Sequence, residues 1–311
     1  MNTCPLCTSP DFDILRDTLR YGVKRKVLKC RACTLVYLEA IKDDQDYYSG
    51  EDYRKKYGPT LGQEATAPDI FAMYRPYQHF ISDRIAHLLT PTTSVLDVGC
   101  SAGQFLDSLK GRVGTRVGME FRDEDAKFVR EKLGIPVYQE PIDAVQIKEA
   151  PFDLITTLQV TEHVEKPIEF IAAFKKHLKP GGHIYIEVPN IDDVMLTHYH
   201  IEGYANFYYR ELHLTYFSAK TLGDLLAKAG FTGKITSVQR YSFRNHLNWL
   251  LTGQPQKSFD LGNRPAWLVD EPQDDKGRAL NELMARFDEE YKQKVGELML
   301  GESLCVLAKP V

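Results

Sequence analysis

The stretch Ser94-Val-Leu-Asp-Val-Gly-Cys-Ser-Ala-Gly-Gln-Phe105 decides how the rest of the chain is read. Val95, Leu96 and Val98 form a short apolar run, the pattern of a strand buried on both faces of a parallel sheet. The run breaks at Gly99 and Gly103, and Phe105-Leu-Asp-Ser-Leu-Lys110 resumes at helical spacing. A strand, a glycine turn and a helix bring backbone N–H groups and a helix N-terminus beside a crevice at the carboxyl end of a sheet, where ligands bind.

Working outward, strands are expected at residues 116–120, 135–138, 152–158 and 183–188. Helices at 123–132 and 167–178 separate them, the second stopped by Pro180-Gly-Gly182. A helix over 218–229 has a serine cap at Ser218 and a stop at Gly230. Strands at 233–243 and 302–309 bring the number to seven. Alternation at this interval predicts an α/β fold, a Rossmann-like doubly wound sheet that is mainly parallel and covered on both faces. Before it, apolar spacing over 70–89 predicts one helix ending ahead of Pro91. Residues 244–300, with Trp249 and Trp267, are a partly helical insertion that either covers the site or forms a homodimer surface.

Composition narrows the function classes. The 311 residues are 43% hydrophobic and 26% charged, enough for a full core, and the formal net charge of −4 gives no general reason to expect binding to nucleic acid or an anionic membrane. No apolar run approaches the roughly 18 residues that span a bilayer, and the polar N-terminus lacks a secretory core, so a cytoplasmic location is expected.

Cys4-Pro-Leu-Cys7 and Cys30-Arg-Ala-Cys33 leave 22 residues between the two pairs. Each pair can present two thiolates on a turn, and Cys4, Cys7, Cys30 and Cys33 together would complete a tetrahedral zinc site. Two disulfides or a redox pair are the alternatives, disfavoured by a cytosolic setting and by the lack of a surrounding βαβ pattern. Four thiolates leave no open position for water, so the zinc is expected to be structural, in a ribbon-like domain over 1–40. Residues 41–69 form a linker in a wider tyrosine-rich stretch containing Tyr47, Tyr48, Tyr53, Tyr57, Tyr74 and Tyr77; it is either a packed connector or a lid. The catalytic domain is expected over 70–311.

Three ligands fit a glycine turn of this kind. A dinucleotide site wants G-x-G-x-x-G, which Gly99 and Gly103 do not complete. Gly99-Cys-Ser-Ala-Gly103 formally matches a nucleophile elbow with Ser101 as nucleophile. Asp97, just before the turn, favours instead a ligand that is cationic or donates hydrogen bonds. Glu120 follows Asp97 by 23 positions, close to the spacing at which a carboxylate meets a ribose hydroxyl.

The stretch 95–105 resembles the glycine-rich motif of class I S-adenosylmethionine (SAM)-dependent methyltransferases. Phe152-Asp-Leu-Ile, Glu162-His-Val-Glu-Lys-Pro167, Leu178-Lys-Pro-Gly-Gly182 and Glu187-Val-Pro-Asn190 follow in that family's order. The resemblance implies SAM as cofactor, with Asp97, Gly99, Cys100, Ser101 and Gly103 around its methionine part. It also implies Glu120 on the ribose, Phe121 and Ile142 flanking the adenine, and Gln159 near the reactive methyl group. Ser101 departs from the glycine of many members, though a small residue still admits the cofactor.

Joined to four N-terminal cysteines, this domain is similar to zinc-containing sugar C-methyltransferases. Their signature Tyr-x-Glu-His-x-x-Tyr-Phe-Ser corresponds to Tyr209-Arg-Glu-Leu-His213-Leu-Thr-Tyr-Phe-Ser218, with the first tyrosine and the glutamate out by one position. The resemblance implies a small-molecule or carbohydrate acceptor, for example a nucleotide-linked sugar. A carbon or hydroxyl acceptor needs a base, for which His213 is the first candidate and His163 and Tyr209 the next. The other class is an RNA or protein methyltransferase, or a SAM-binding adaptor that uses the zinc ribbon for partners.

Overall fold

The computed structural model describes residues 3–40, 60 and 63–311. Among them the strands form two sheets. The smaller is N-terminal: β1 (Phe12–Thr18), β2 (Lys24–Cys30) and β3 (Val36–Leu38) pair antiparallel in sequence order. The larger has seven strands: β4 (Ser94–Val98), β5 (Thr115–Met119), β6 (Val137–Tyr138), β7 (Phe152–Leu158), β8 (Leu178–Pro189), β10 (Phe231–Val238) and β11 (Ser303–Pro310). Between β8 and β10 comes β9 (Thr215–Tyr216), which leaves the large sheet and adds to the small one beside β3.

The order across the large sheet is β10-β11-β8-β7-β4-β5-β6, with only β11 antiparallel to its neighbours. All five residues of β4 are buried, as befits a central strand, its apolar Val95, Leu96 and Val98 sharing that burial with Ser94 and Asp97. Side chains alternate between two cores: Leu96, Val98, Ile155, Ile184 and Ile186 on one face, and Val95, Leu154, Tyr185 and Phe105 on the other. From β4 the chain moves outward through β5 and β6, then returns to β7 on the other side of β4. The strand order therefore reverses between β4 and β7, and the crevice outside their carboxyl ends is where an open α/β sheet takes its ligand.

Several expected elements shift. The helix expected over 70–89 is divided into Ala67–Tyr74, a 3-10 turn Arg75–Tyr77, the single turn His79–Ser82 and a 3-10 turn Ala86–Leu88. Pro76 accounts for the first break, because proline has no N–H to continue the ladder and disfavours helix in the residue before it. The strand expected over 233–243 ends at Val238, and Phe243 instead opens a helix to Thr252. The helix expected over 167–178 ends at Ala173 and tightens to 3-10 over Phe174–His177. Residues 244–300 hold three helices, Phe243–Thr252 with its first residue just ahead, Phe259–Asn263 and Asp275–Glu297. No helix among the described residues is long and apolar enough to cross a membrane.

The small sheet is not a separate lobe. Cys4, Leu6, Leu28, Cys30, Leu35 and Tyr37 share one core with Phe217, Leu222 and Leu225 of the large domain. Those last two lie on the helix Ala219–Ala229, where Ser218 Oγ accepts the Thr221 N–H, Thr221 Oγ1 accepts the Ser218 N–H, and Gly230 closes the helix at φ 74°. Ser218→Ala removes one half of this reciprocal cap. It is expected to lower stability by about 1 kcal/mol in a urea titration, without changing the slope of the transition.

Candidate active site

The glycine turn begins where β4 ends. Asp97 lies opposite Thr156 of β7, and Thr156 Oγ1 donates to Asp97 Oδ1 at 2.6 Å. Burial pushes the Asp97 carboxyl up to about 7, against the Thr156 hydrogen bond and with the help of nearby Glu120. The Gly99 and Cys100 N–H groups both donate to Met119 O, at 2.8 and 2.9 Å, which folds the turn back over β5. Gly99 has φ 79°, and a Cβ there would lie 2.4 Å from Val160 Cγ2, so the position is closed to any side chain.

Glu120 fixes the far side of the turn. Its Oε2 accepts the Ser101 N–H at 2.9 Å and its Oε1 accepts the Arg122 N–H at 2.9 Å. Ser101 is held at φ 49° by this arrangement. Cys100 is buried, and burial raises its thiol well above the ordinary range, so it is a packed group beneath the turn. Gly103 serves packing: a Cβ there would meet Leu133 Cδ1 at 2.8 Å and Val129 Cγ2 at 2.9 Å.

Asp97, Gly99, Cys100, Ser101, Glu120, Phe121, Ile142 and Gln159 line one cleft of about 1430 Å³, together with His163 and His213. Phe121 is 67% exposed at that cleft, whereas Ile142 is buried and its carbonyl contacts His177 Nε2 at 2.9 Å. Gln159, at φ 58° just past β7, donates through Nε2 to Glu187 Oε1 at 3.1 Å and Ser303 Oγ at 3.2 Å. These groups fit a ligand with a cationic end near Asp97 and vicinal hydroxyls near Glu120, as SAM has.

The far wall carries titratable groups. Glu162, His163 and His213 bring ligand-type atoms within 4.8 Å of one another. Burial pushes Glu162 up to about 8. Burial pulls His163 down to about 4, and its Nδ1 lies 2.7 Å from Leu212 O. Burial, then the charges of His163, Arg210 and Arg20, pull His213 well below the usual histidine range. His213 Nδ1 is buried with no hydrogen-bond partner. Tyr209 is not brought to this wall; its ring packs on Tyr208 and Tyr216, with Arg16 over it at 5.5 Å.

Other groups of the cleft have no motif to announce them. Arg240, from the loop after β10, pairs with Glu187 through Nη2 and with Glu302 through Nη1 at 3.5 Å, and its N–H donates to both Glu302 oxygens at 2.9 Å. The insertion supplies Asn245, Trp249 and Phe259 to the lining, so it forms part of the cleft wall. Of the tyrosine-rich stretch, Tyr47, Tyr48, Tyr53 and Tyr57 lie outside the described residues. Tyr77 Oη donates to Asp260 at 2.8 Å, and Tyr74 packs on Phe259 at 4.6 Å, joining that stretch to the insertion.

The four N-terminal cysteines converge. Cys4 Sγ is 3.4 Å from Cys33 Sγ and Cys7 Sγ is 3.5 Å from Cys30 Sγ, with all four sulfurs within 4.8 Å. These separations are far beyond a disulfide bond of about 2.05 Å. A tetrahedral zinc with bonds of about 2.3 Å needs sulfurs about 3.8 Å apart, so the set fits that ion. The expected result is about one zinc per chain by elemental analysis, lost together with thermal stability in Cys4→Ser/Cys33→Ser.

A methyltransferase domain family model matches residues 72–235, more than half of the chain. A ubiquinone biosynthesis O-methyltransferase of Pseudomonas paraeruginosa is 30% identical over 103 residues, which cover 31% of this chain and 44% of that protein. The protein of the same description from Proteus mirabilis is 34% identical, with 31% and 42% covered. The matched region thus spans less than half the length of these curated relatives. A SAM-dependent methyltransferase structure from Archaeoglobus fulgidus aligns over 77% of this chain and 96% of its own, at 20% identity and a TM-score of 0.49.

Proposed function

The chain belongs to the methyltransferase domain family; from that premise we propose that it is a SAM-dependent enzyme that methylates a hydroxyl or carbon of a small, carbohydrate-like acceptor, with His213 as base. The carbohydrate assignment rests on the likeness of the four-cysteine module and of residues 209–218 to sugar C-methyltransferases. The observation that carries the base assignment is the buried, unpartnered Nδ1 of His213 in the cleft that also holds the Gly99 turn.

SAM would bring its ammonium to Asp97, its ribose hydroxyls to Glu120 and its methyl group toward Gln159. The sulfonium makes the methyl carbon reactive, so the protein's main contribution is alignment of the acceptor, which can supply up to roughly 7–11 kcal/mol. With Asp97 and Glu120 holding SAM, which would supply the methyl group and leave as S-adenosylhomocysteine, His213 would take the proton that the acceptor gives up. Depression of the His213 pKa keeps its imidazole neutral and its lone pair available at neutral pH.

His213→Ala is expected to bind S-adenosylhomocysteine normally while turnover falls by about 10²–10⁴-fold. Unchanged turnover removes His213 from the mechanism. Incubation with labelled SAM and pools of nucleotide sugars, small metabolites and RNA, read by mass spectrometry, identifies acceptor and atom; label on RNA alone overturns the carbohydrate reading.

Asp97 provides a pH signature. An ammonium binds its ionised carboxylate, and with the unliganded group near 7 a proton must leave before binding at lower pH. Affinity for S-adenosylhomocysteine is therefore expected to be constant above pH 7 and to weaken by about tenfold per unit below it. Asp97→Asn should bind weakly and lose that dependence, as titration calorimetry across pH would record.

A further inference from the structure

Four arginines line the cleft, and the surroundings of three of them, Arg20, Arg210 and Arg240, differ. Arg240 is answered by Glu187 and Glu302. Arg210 has no carboxylate within ion-pair distance among the described residues, and its Nε is buried without a hydrogen-bond partner. The carboxyl nearest in effect, Glu162, is pushed up to about 8 by burial despite Arg210, so it is largely protonated at neutral pH and supplies little counter-charge. A buried guanidinium donor left unmet is costly, and a ligand able to meet it removes that cost.

Arg20 stands close by and comes from the N-terminal module. It is 4% exposed, lines the same cleft, and its guanidinium carbon lies 3.7 Å from the centre of the Phe207 ring, which Arg210 also approaches at 5.7 Å. The Arg20 N–H donates to Tyr209 O at 2.8 Å, anchoring it to the segment that leads to Arg210 and His213. Both arginine charges help to hold the His213 pKa below the usual histidine range, after burial and His163.

We propose that the acceptor is an anion, and that Arg210, with Arg20 of the N-terminal module, receives its phosphate or carboxylate group beside His213. A planar guanidinium fork matches either group through two parallel hydrogen bonds. Phe207 supplies an apolar floor against which both arginines lie. The N-terminal module thereby contributes directly to acceptor recognition, and specificity depends on both parts of the chain. The inference rests on the acceptor cleft proposed above.

The test titrates inorganic pyrophosphate and, separately, benzoate into the full-length protein saturated with S-adenosylhomocysteine, at constant ionic strength. One of the two is expected to bind, and which one distinguishes a phosphate from a carboxylate source. Arg210→Gln and Arg20→Gln should each weaken that binding by about tenfold or more, with Arg210→Lys between Arg210→Gln and the native protein. S-adenosylhomocysteine affinity should be unchanged in all three variants, which shows them folded. Binding of neither anion, or anion binding indifferent to Arg210→Gln, overturns the proposal. Failure of the native protein to bind S-adenosylhomocysteine would instead strike the methyltransferase assignment, so the two failures are distinguishable.

Discussion

A carboxyl group buried where the strand order reverses governs the arrangement of this protein. Asp97 is 2% exposed, meets Thr156 across the β4–β7 pairing, and has little else to offset its removal from water. Such a group is expensive in an unliganded fold. It is tolerable at this point because the reversal opens a crevice rather than a packed core, so a ligand can bring the missing charge. Glu120, one strand over, does complementary work by tying the Ser101 and Arg122 N–H groups into the same turn.

The opposite wall depends on the N-terminal module. The Leu38 N–H donates to Leu214 O at 2.9 Å, Val36 pairs with Tyr216, and Arg25 Nη1 donates to Glu211 O at 3.1 Å. The segment carrying Arg210 and His213 therefore leads directly into the edge strand β9 of the small sheet, whose strand β2 ends at Cys30. A piece of about 40 residues has too small a core to hold that shape alone. Zinc binding at comparable sites contributes roughly 10–16 kcal/mol, and the geometry of the four cysteines fits that ion. The small sheet and this wall of the cleft are thus mechanically connected.

The sequence by itself determined the large sheet, the glycine turn and the cysteine cluster. Each is written in local chemistry: apolar runs for strands, glycines where positive φ is needed, paired thiols at turn spacing, and a serine cap answered by Gly230. Even there, Pro76 divided an expected helix, because apolar spacing says which side is buried but not whether the backbone ladder is continuous. The tertiary structure alone decided that β9 joins the N-terminal sheet, that the insertion lines the cleft, and that Tyr209 is left out of that lining while Arg20, Arg210 and Arg240 belong to it. These features join residues nearly two hundred positions apart. A strand of two residues has no period, and an arginine's burial or counter-charge depends on what packs against it, so neither leaves a local pattern to read.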